Sequence, residues 1–396
     1  MKVCVMFMHG FPFGMASASR LSAYSKGLIE QGAKVDVLMP FPDDAIIQDG
    51  TISGIRYFHT YGRRKSRSKI VRGITRISGF KKYKALWKAY RYLTKNTSNE
   101  YDIILAHTDT ISHMLTYSKA AKHIGAKCVF VADEYPIPIR HKLKERIPRW
   151  KEVSYGIVLK RFDAYVFISD ALSNYYNRLC PKPTHIMQVI TDVTRFSGII
   201  CDNELSVRQY LCYMGNMELA KDNVDLIIKA FAKISNGYPD IDLHLYGSPS
   251  NRTYEYLSRI INSMNLSDRV FIKGRAEYGD IPQILANAHI LLASQPQTMR
   301  ASGGFPTKLG EYLASGKPAI VTRVGENDKY VTDMQHAYFV VPDNVESYAD
   351  KIRYILNNYE IALLVANEGR KLIIDNYSQS ANGYALIRFL QNMLIK

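Results

Sequence analysis

Cysteine is scarce in this 396-residue chain, and its five copies are scattered at Cys4, Cys128, Cys180, Cys201 and Cys212. An odd number without CxxC spacing argues against a disulfide framework or a clustered zinc site, and for a reducing compartment. Long apolar runs are also missing, so no stretch approaches the length of a membrane span. Met1-Lys2-Val3 leads straight into a short apolar stretch with no evident signal peptide, and the expected location is cytoplasmic. GxGxxG does not follow the first apolar stretch, which removes the dinucleotide fingerprint. No DxD is positioned as a metal site, and none of the composition points to disorder.

One absence is local. Between Arg63 and Lys95 there are thirteen Lys or Arg and no Asp or Glu. Phe80, Tyr83, Trp87, Tyr90 and Leu93 recur there at helical spacing, and Lys81, Lys84, Lys88, Arg91 and Lys95 make a second stripe. A basic helix with aromatics can lie on an anionic bilayer or meet a lipid phosphate. The same charge would attract any polyanion, including nucleic acid. The plain alternative is a domain helix with its aromatics in the core and its lysines in water. Much of the net charge of +16 sits in this segment, which favours a local patch over general solubility charge. The partner expected is an anionic membrane surface, with no nucleic acid.

What the chain does have is a 47% hydrophobic composition and a length that suits two domains. Strand-like Lys2–Met8, a loop from His9 to Gly14, a helix over Ser17–Gly32 and a strand over Lys34–Met39 open like a doubly wound domain. Ligands sit at the carboxyl ends of strands in such domains. Tyr101–His107 and Lys127–Ala132 read as buried strands, so His107, Asp133 and Glu134 fall at their ends. A lone histidine is otherwise a structural residue, and an acid beside Pro136 can simply cap a turn. Ala164–Ile168 is a further strand, with Ser169 opening a helix.

The most informative stretch runs from Gly303 to Pro318. Gly303 and Gly304 allow close backbone approach, Pro306 suits the first turn of a helix, and Gly316 with Pro318 stops it after about three turns. A helix start offers free N–H groups to an anion. Lys308 and Glu311, three residues apart, share one face. A cation for a phosphate beside a carboxylate for two vicinal hydroxyls describes a sugar-nucleotide site. A capped amphipathic helix with a chance Lys/Glu pair is the bland alternative.

This segment, with the strand-like Ala319–Thr322 after it, resembles the donor-binding motif of glycosyltransferase family 4. That resemblance implies an α/β, GT-B fold: two Rossmann-like doubly wound domains facing a central cleft. In the family, two glutamates are separated by seven residues; the second binds the ribose and the first the donor sugar. Glu311 matches the second, whereas the first falls on Gly303. Gly304, Phe305, Pro306, Thr307 and Lys308 complete the motif. A family arginine that holds the diphosphate is replaced by Asn216, after Gly215, and the partner lysine five residues later is Lys221. Gly14 resembles the family's glycine loop, Gly247 and Gly274 resemble loops flanking the phosphates and base, and His107 is the nearest match to a histidine that contacts the donor sugar. His107 and Glu134 are thus the catalytic candidates. The implied domains are 1–200, which binds acceptor, and 201–376, which binds donor, with the 377–396 helix packing back on the first and a hinge between Phe196 and Val207.

The function implied is retaining transfer from a nucleotide-sugar donor, UDP- or GDP-linked, to a saccharide or lipid-linked saccharide. It would need no cofactor or metal, and would serve cell-surface polysaccharide synthesis at the inner face of the cell membrane. A sugar-nucleotide epimerase or hydrolase of the same fold, and a non-catalytic nucleotide-binding scaffold, remain open.

Overall fold

A computed structural model describes residues 1–13, 16–40, 49–61, 78–95, 100–136, 147–187, 189–199, 208–304 and 307–395. The chain divides into two units, and the first takes the described residues up to 190 together with the last helix. Its elements are β1 (Lys2–Phe7), α1 (Ala16–Glu30), β2 (Lys34–Met39), β3 (Gly50–Ile52), β4 (Ile55–His59), α2 (Ser78–Lys95), β5 (Ile103–His107), α3 (Ile111–Ile124), β6 (Lys127–Ala132), α4 (Arg149–Leu159), β7 (Ala164–Phe167), α5 (Asp170–Leu179) and β8 (Thr184–Ile186). The sheet order is β3-β4-β2-β1-β5-β6-β7-β8, parallel throughout except for the β3–β4 pair. β1, β5, β6 and β7 are runs of apolar residues buried almost end to end, as strands covered on both faces must be. Ser169 caps α5 by accepting from the Leu172 N–H at 3.2 Å, as its place after a strand implies.

In the second unit a 3-10 turn (Val193–Phe196) leads to β9 (Gln209–Met214), α6 (Val224–Ala232) and β10 (Ile241–Tyr246). There follow α7 (Asn251–Ser263), β11 (Val270–Gly274), α8 (Ile281–Asn287), β12 (Ile290–Ala293), α9 (Met299–Gly303), α10 (Thr307–Ala314), β13 (Ala319–Thr322), α11 (Asn327–Tyr330), β14 (Tyr338–Val340), α12 (Val345–Asn357) and α13 (Tyr359–Asn376). The six strands are all parallel in the order β11-β10-β9-β12-β13-β14. Val224, Ile227, Ile228, Phe231 and Ile234, at helical spacing, pack beneath them. The motif helix α10 spans eight described residues, about two turns where the sequence reads three, and Gly303 closes the short α9 before it.

The final helix, α14 (Gln379–Leu394), lies along α1 and completes the first core with Leu386, Ile387 and Leu390. The two helices meet at Gly27 and Gly383. A Cβ on Gly27 would overlap the carbonyl oxygen of Gln379, and one on Gly383 would overlap the Gly27 backbone. Gly383→Ala should therefore lower unfolding stability by about 1–3 kcal/mol, the usual cost of overpacking. Urea denaturation measures it, and an unchanged midpoint would mean that the helices separate without penalty.

Candidate functional site

In each sheet the strand order reverses beside the first strand, at β1 and at β9, and such switch points leave a crevice at the carboxyl end. Gly215 ends β9; its N–H donates to the Tyr246 carbonyl at 3.0 Å, and the Gly247 N–H donates to the Gly274 carbonyl at 2.8 Å. The ends of β9, β10 and β11 are thus knit by three glycines. A Cβ on Gly247 would strike the Gly215 carbonyl, and one on Gly215 would lie 2.7 Å from the Lys308 ammonium. Glycine at 215 makes room for the head of that lysine.

Helix α10 holds its charged residues in place through buried Tyr312, whose hydroxyl accepts from the Met214 N–H at 2.8 Å. Lys308 Nζ stands 2.6 Å from Asp222 Oδ1 and 4.6 Å from the Tyr213 ring centre. Its side chain is 17% exposed and that of Asp222 8%. Burial, then the Asp222 charge, push the Tyr213 hydroxyl well above its ordinary range, so it stays protonated. One turn along, Glu311 pairs through Oε1 with Arg195, whose second nitrogen donates to the Tyr278 carbonyl at 3.0 Å. The guanidinium lies 3.8 Å from the centre of the Tyr278 ring. The second unit therefore brings together Gly215, Lys308, Glu311, Gly247 and Gly274.

Asn216 is exposed and its side chain closes its own turn, accepting from the Glu218 N–H at 3.0 Å. Lys221 is half-buried beside Asp222, and Thr307 is half-buried at the start of α10. Gly304 caps α9 in extended conformation. Gly14, Phe305 and Pro306 lie outside the described residues. Asn223 stands at the cap of α6, and Asp222 before it pairs with Lys308. Asp222, Arg195 and Tyr278 were not singled out from sequence, because partners 86 and 116 residues away leave no local signal.

At the switch point of the first unit, His107 is 8% exposed, with Nε2 3.0 Å from Asp133 Oδ2 and Nδ1 3.4 Å from the Tyr24 hydroxyl. A carboxylate only accepts, so the Nε2 proton points at Asp133 and Nδ1 is left to the tyrosine. Asp133 Oδ1 is also 3.0 Å from Arg20 Nε, and Arg20 donates onward to the Met187 carbonyl. Burial pushes the Asp133 carboxyl up, but Arg20 and His107 more than offset it and hold it well below the usual carboxylate range. Both ring nitrogens of His107 are therefore engaged inside the protein. Glu134 is exposed at the next position, and His9, at the end of β1, is the exposed imidazole of this cluster. Burial, followed by the nearby His107, lowers the His9 pKa.

Comparison with proteins of known structure assigns the architecture. Sucrose-phosphate synthase from Thermosynechococcus elongatus superposes with a TM-score of 0.76 at 15% identity, over 100% of this chain and 99% of that one. HepE from Anabaena, in complex with UDP and glucose, gives 0.72 at 14% identity over 99% and 100%. The fold is GT-B. Residues 203–372 match the family model "Glycosyl transferases group 1", which marks the second unit of this GT-B chain as a glycosyltransferase domain. A poly(ribitol-phosphate) alpha-N-acetylglucosaminyltransferase of Staphylococcus aureus is 26% identical over 157 residues, 39% of this chain. The match spans only 30% of the length of that relative. Among the described residues, no helix is long and apolar enough to cross a membrane, and no three His, Cys, Asp or Glu are grouped to hold a metal.

Proposed function

We infer that the chain is a family 4 retaining glycosyltransferase that moves a sugar from a UDP- or GDP-linked donor to a saccharide or lipid-linked saccharide. The observation that carries this is the placement of Lys308 and Glu311 on one face of α10, against the glycine-lined end of β9. Arg195 engages Oε1 of Glu311, so Oε2 can accept from ribose hydroxyls. Lys308, with Lys221 on the adjoining loop, supplies positive charge for the diphosphate as it leaves, and fixed cations do this without a metal. HepE, solved with UDP and glucose on the same fold, supports a nucleotide-sugar donor. In the first unit Glu134 is the exposed catalytic candidate and His107 the buried one, oriented by Asp133. The setting proposed is cell-surface polysaccharide synthesis, with the protein peripheral at the inner face of the membrane through Arg63–Lys95.

A screen of nucleotide sugars for thermal stabilisation, then turnover of the hit with lipid-linked saccharides, tests the reading. Glu311→Gln should weaken nucleotide affinity by roughly 1–3 kcal/mol, the cost of losing a charged hydrogen bond. Unchanged affinity for both UDP and GDP would remove Glu311 from the site, and binding without any turnover would leave only a scaffold.

A further inference from the structure

The sequence offers α2 as a single basic helix with an aromatic stripe, and its plain reading buries the aromatics. The structure buries Ala85, Leu86, Ala89 and Leu93 instead and leaves Tyr83 and Trp87 exposed. α2 packs along α3, and α3 along α4, so the three form one layer on the first unit. The outward face of α3 carries Leu115, Lys119 and Lys122. That of α4 carries Trp150, Val153 and Ile157 at i, i+3 and i+7, all more than half exposed. Both tryptophans of the chain are thus on this layer, Trp87 at 53% and Trp150 at 68% exposure. The Arg91 guanidinium lies 4.6 Å from the centre of the Trp87 ring. The three helices hold ten Lys or Arg (six, two and two) against one acid, Glu152, which is turned to Arg178.

We propose that α4 is a second, apolar foot of a membrane-docking face whose cationic foot is α2, and that the partner is an anionic lipid bilayer. Two features select this partner. The excess of cations complements an anionic headgroup layer, and would repel a second copy of the same face. The side chains are also divided as an interface requires, with Trp150 beside exposed Val153 and Ile157 on one end and Trp87 among cations on the other. The cations set attraction at a distance, and Trp150, Val153 and Ile157 enter the headgroup boundary. The proposal rests on the membrane reading above and adds an element that the charge run does not contain.

The test uses the full-length chain, with vesicles of phosphatidylcholine alone or mixed with phosphatidylglycerol. Trp87→Phe leaves Trp150 as the sole tryptophan. Its emission should shift to the blue and be quenched by bromine-labelled lipid on anionic vesicles, but not on neutral ones. Trp150→Ser/Val153→Ser/Ile157→Ser, which changes exposed side chains only, should weaken vesicle binding about tenfold and leave attachment that 1 M salt abolishes, because the charged contacts alone are screened. Silent Trp150 emission with undiminished vesicle binding would remove α4 from the interface and leave the α2 reading standing. Binding lost in neither Lys84→Glu/Lys88→Glu nor the α4 variant would overturn both. Concentration-dependent dimers in sedimentation velocity that the α4 variant abolishes would assign the face to self-association and sink the proposal.

Discussion

Lys308→Ala should lower kcat/KM for the nucleotide sugar by about two to three orders of magnitude, the scale of losing one placed charge that stabilises a leaving group. A second consequence comes from Asp222. Its carboxylate lies 2.6 Å from the lysine and is nearly closed to water, so removing the cation leaves a buried charge unpaired. Lys308→Ala should thus also lower Tm, and a lost activity alone would not separate the two effects. The double variant Lys308→Ala/Asp222→Asn does separate them. It should recover most of the Tm, since an amide carries no charge to strand, while turnover stays low. Recovery of both would make Lys308 a structural cation. If the single variant keeps full activity, Lys308 does not face the diphosphate at all.

Asp133→Asn should cost about 3–5 kcal/mol of unfolding free energy, the range for breaking a buried ion pair from one side. Arg20 is the reason: its side chain is 2% exposed, and the variant takes from it the carboxylate 3.0 Å from its Nε. The pH dependence has a defined sign. The Asp133 carboxyl titrates below its unfolded value, so its contribution is complete above the ordinary carboxylate range, about pH 4, and is lost only as pH falls through the lower folded value. Wild type and variant should therefore differ by the same amount at pH 7 and pH 5 and converge in stronger acid. A gap that closes between pH 7 and pH 5 would assign the stability to some other group.

The buried strands were legible because their apolar runs are continuous, and the turn at Ser169 because its cap is local. The β3–β4 hairpin went unread: its strands are three and five residues long, and the turn rests on Ser53 and Gly54, both at positive φ, without a flanking apolar pattern. α3, α4 and α13 were also missed. α4 shows why, because its apolar residues at 150, 153 and 157 face outward and do not mark a core face. Lys308 and Glu311 could be found since they lie one turn apart in a recognisable motif. Their partners could not, because Asp222 and Arg195 arrive through the tertiary fold. His107 illustrates the remaining difficulty: its place at a strand end is visible in sequence, but the Asp133 and Tyr24 contacts that occupy its ring are not.

The meeting of Gly27 with Gly383 sets an order of events during synthesis. The two glycines are separated in the chain by the whole of the second unit. On the ribosome, α1 and the strand ends beside it must wait, one apolar side uncovered, until some 190 further residues of the second unit have emerged. The second unit has no such dependence and can close first. Cutting the chain before Gln379 would strip Leu386, Ile387 and Leu390 from the first core, so a chain shortened there would leave the apolar side of α1 uncovered even with its second unit intact.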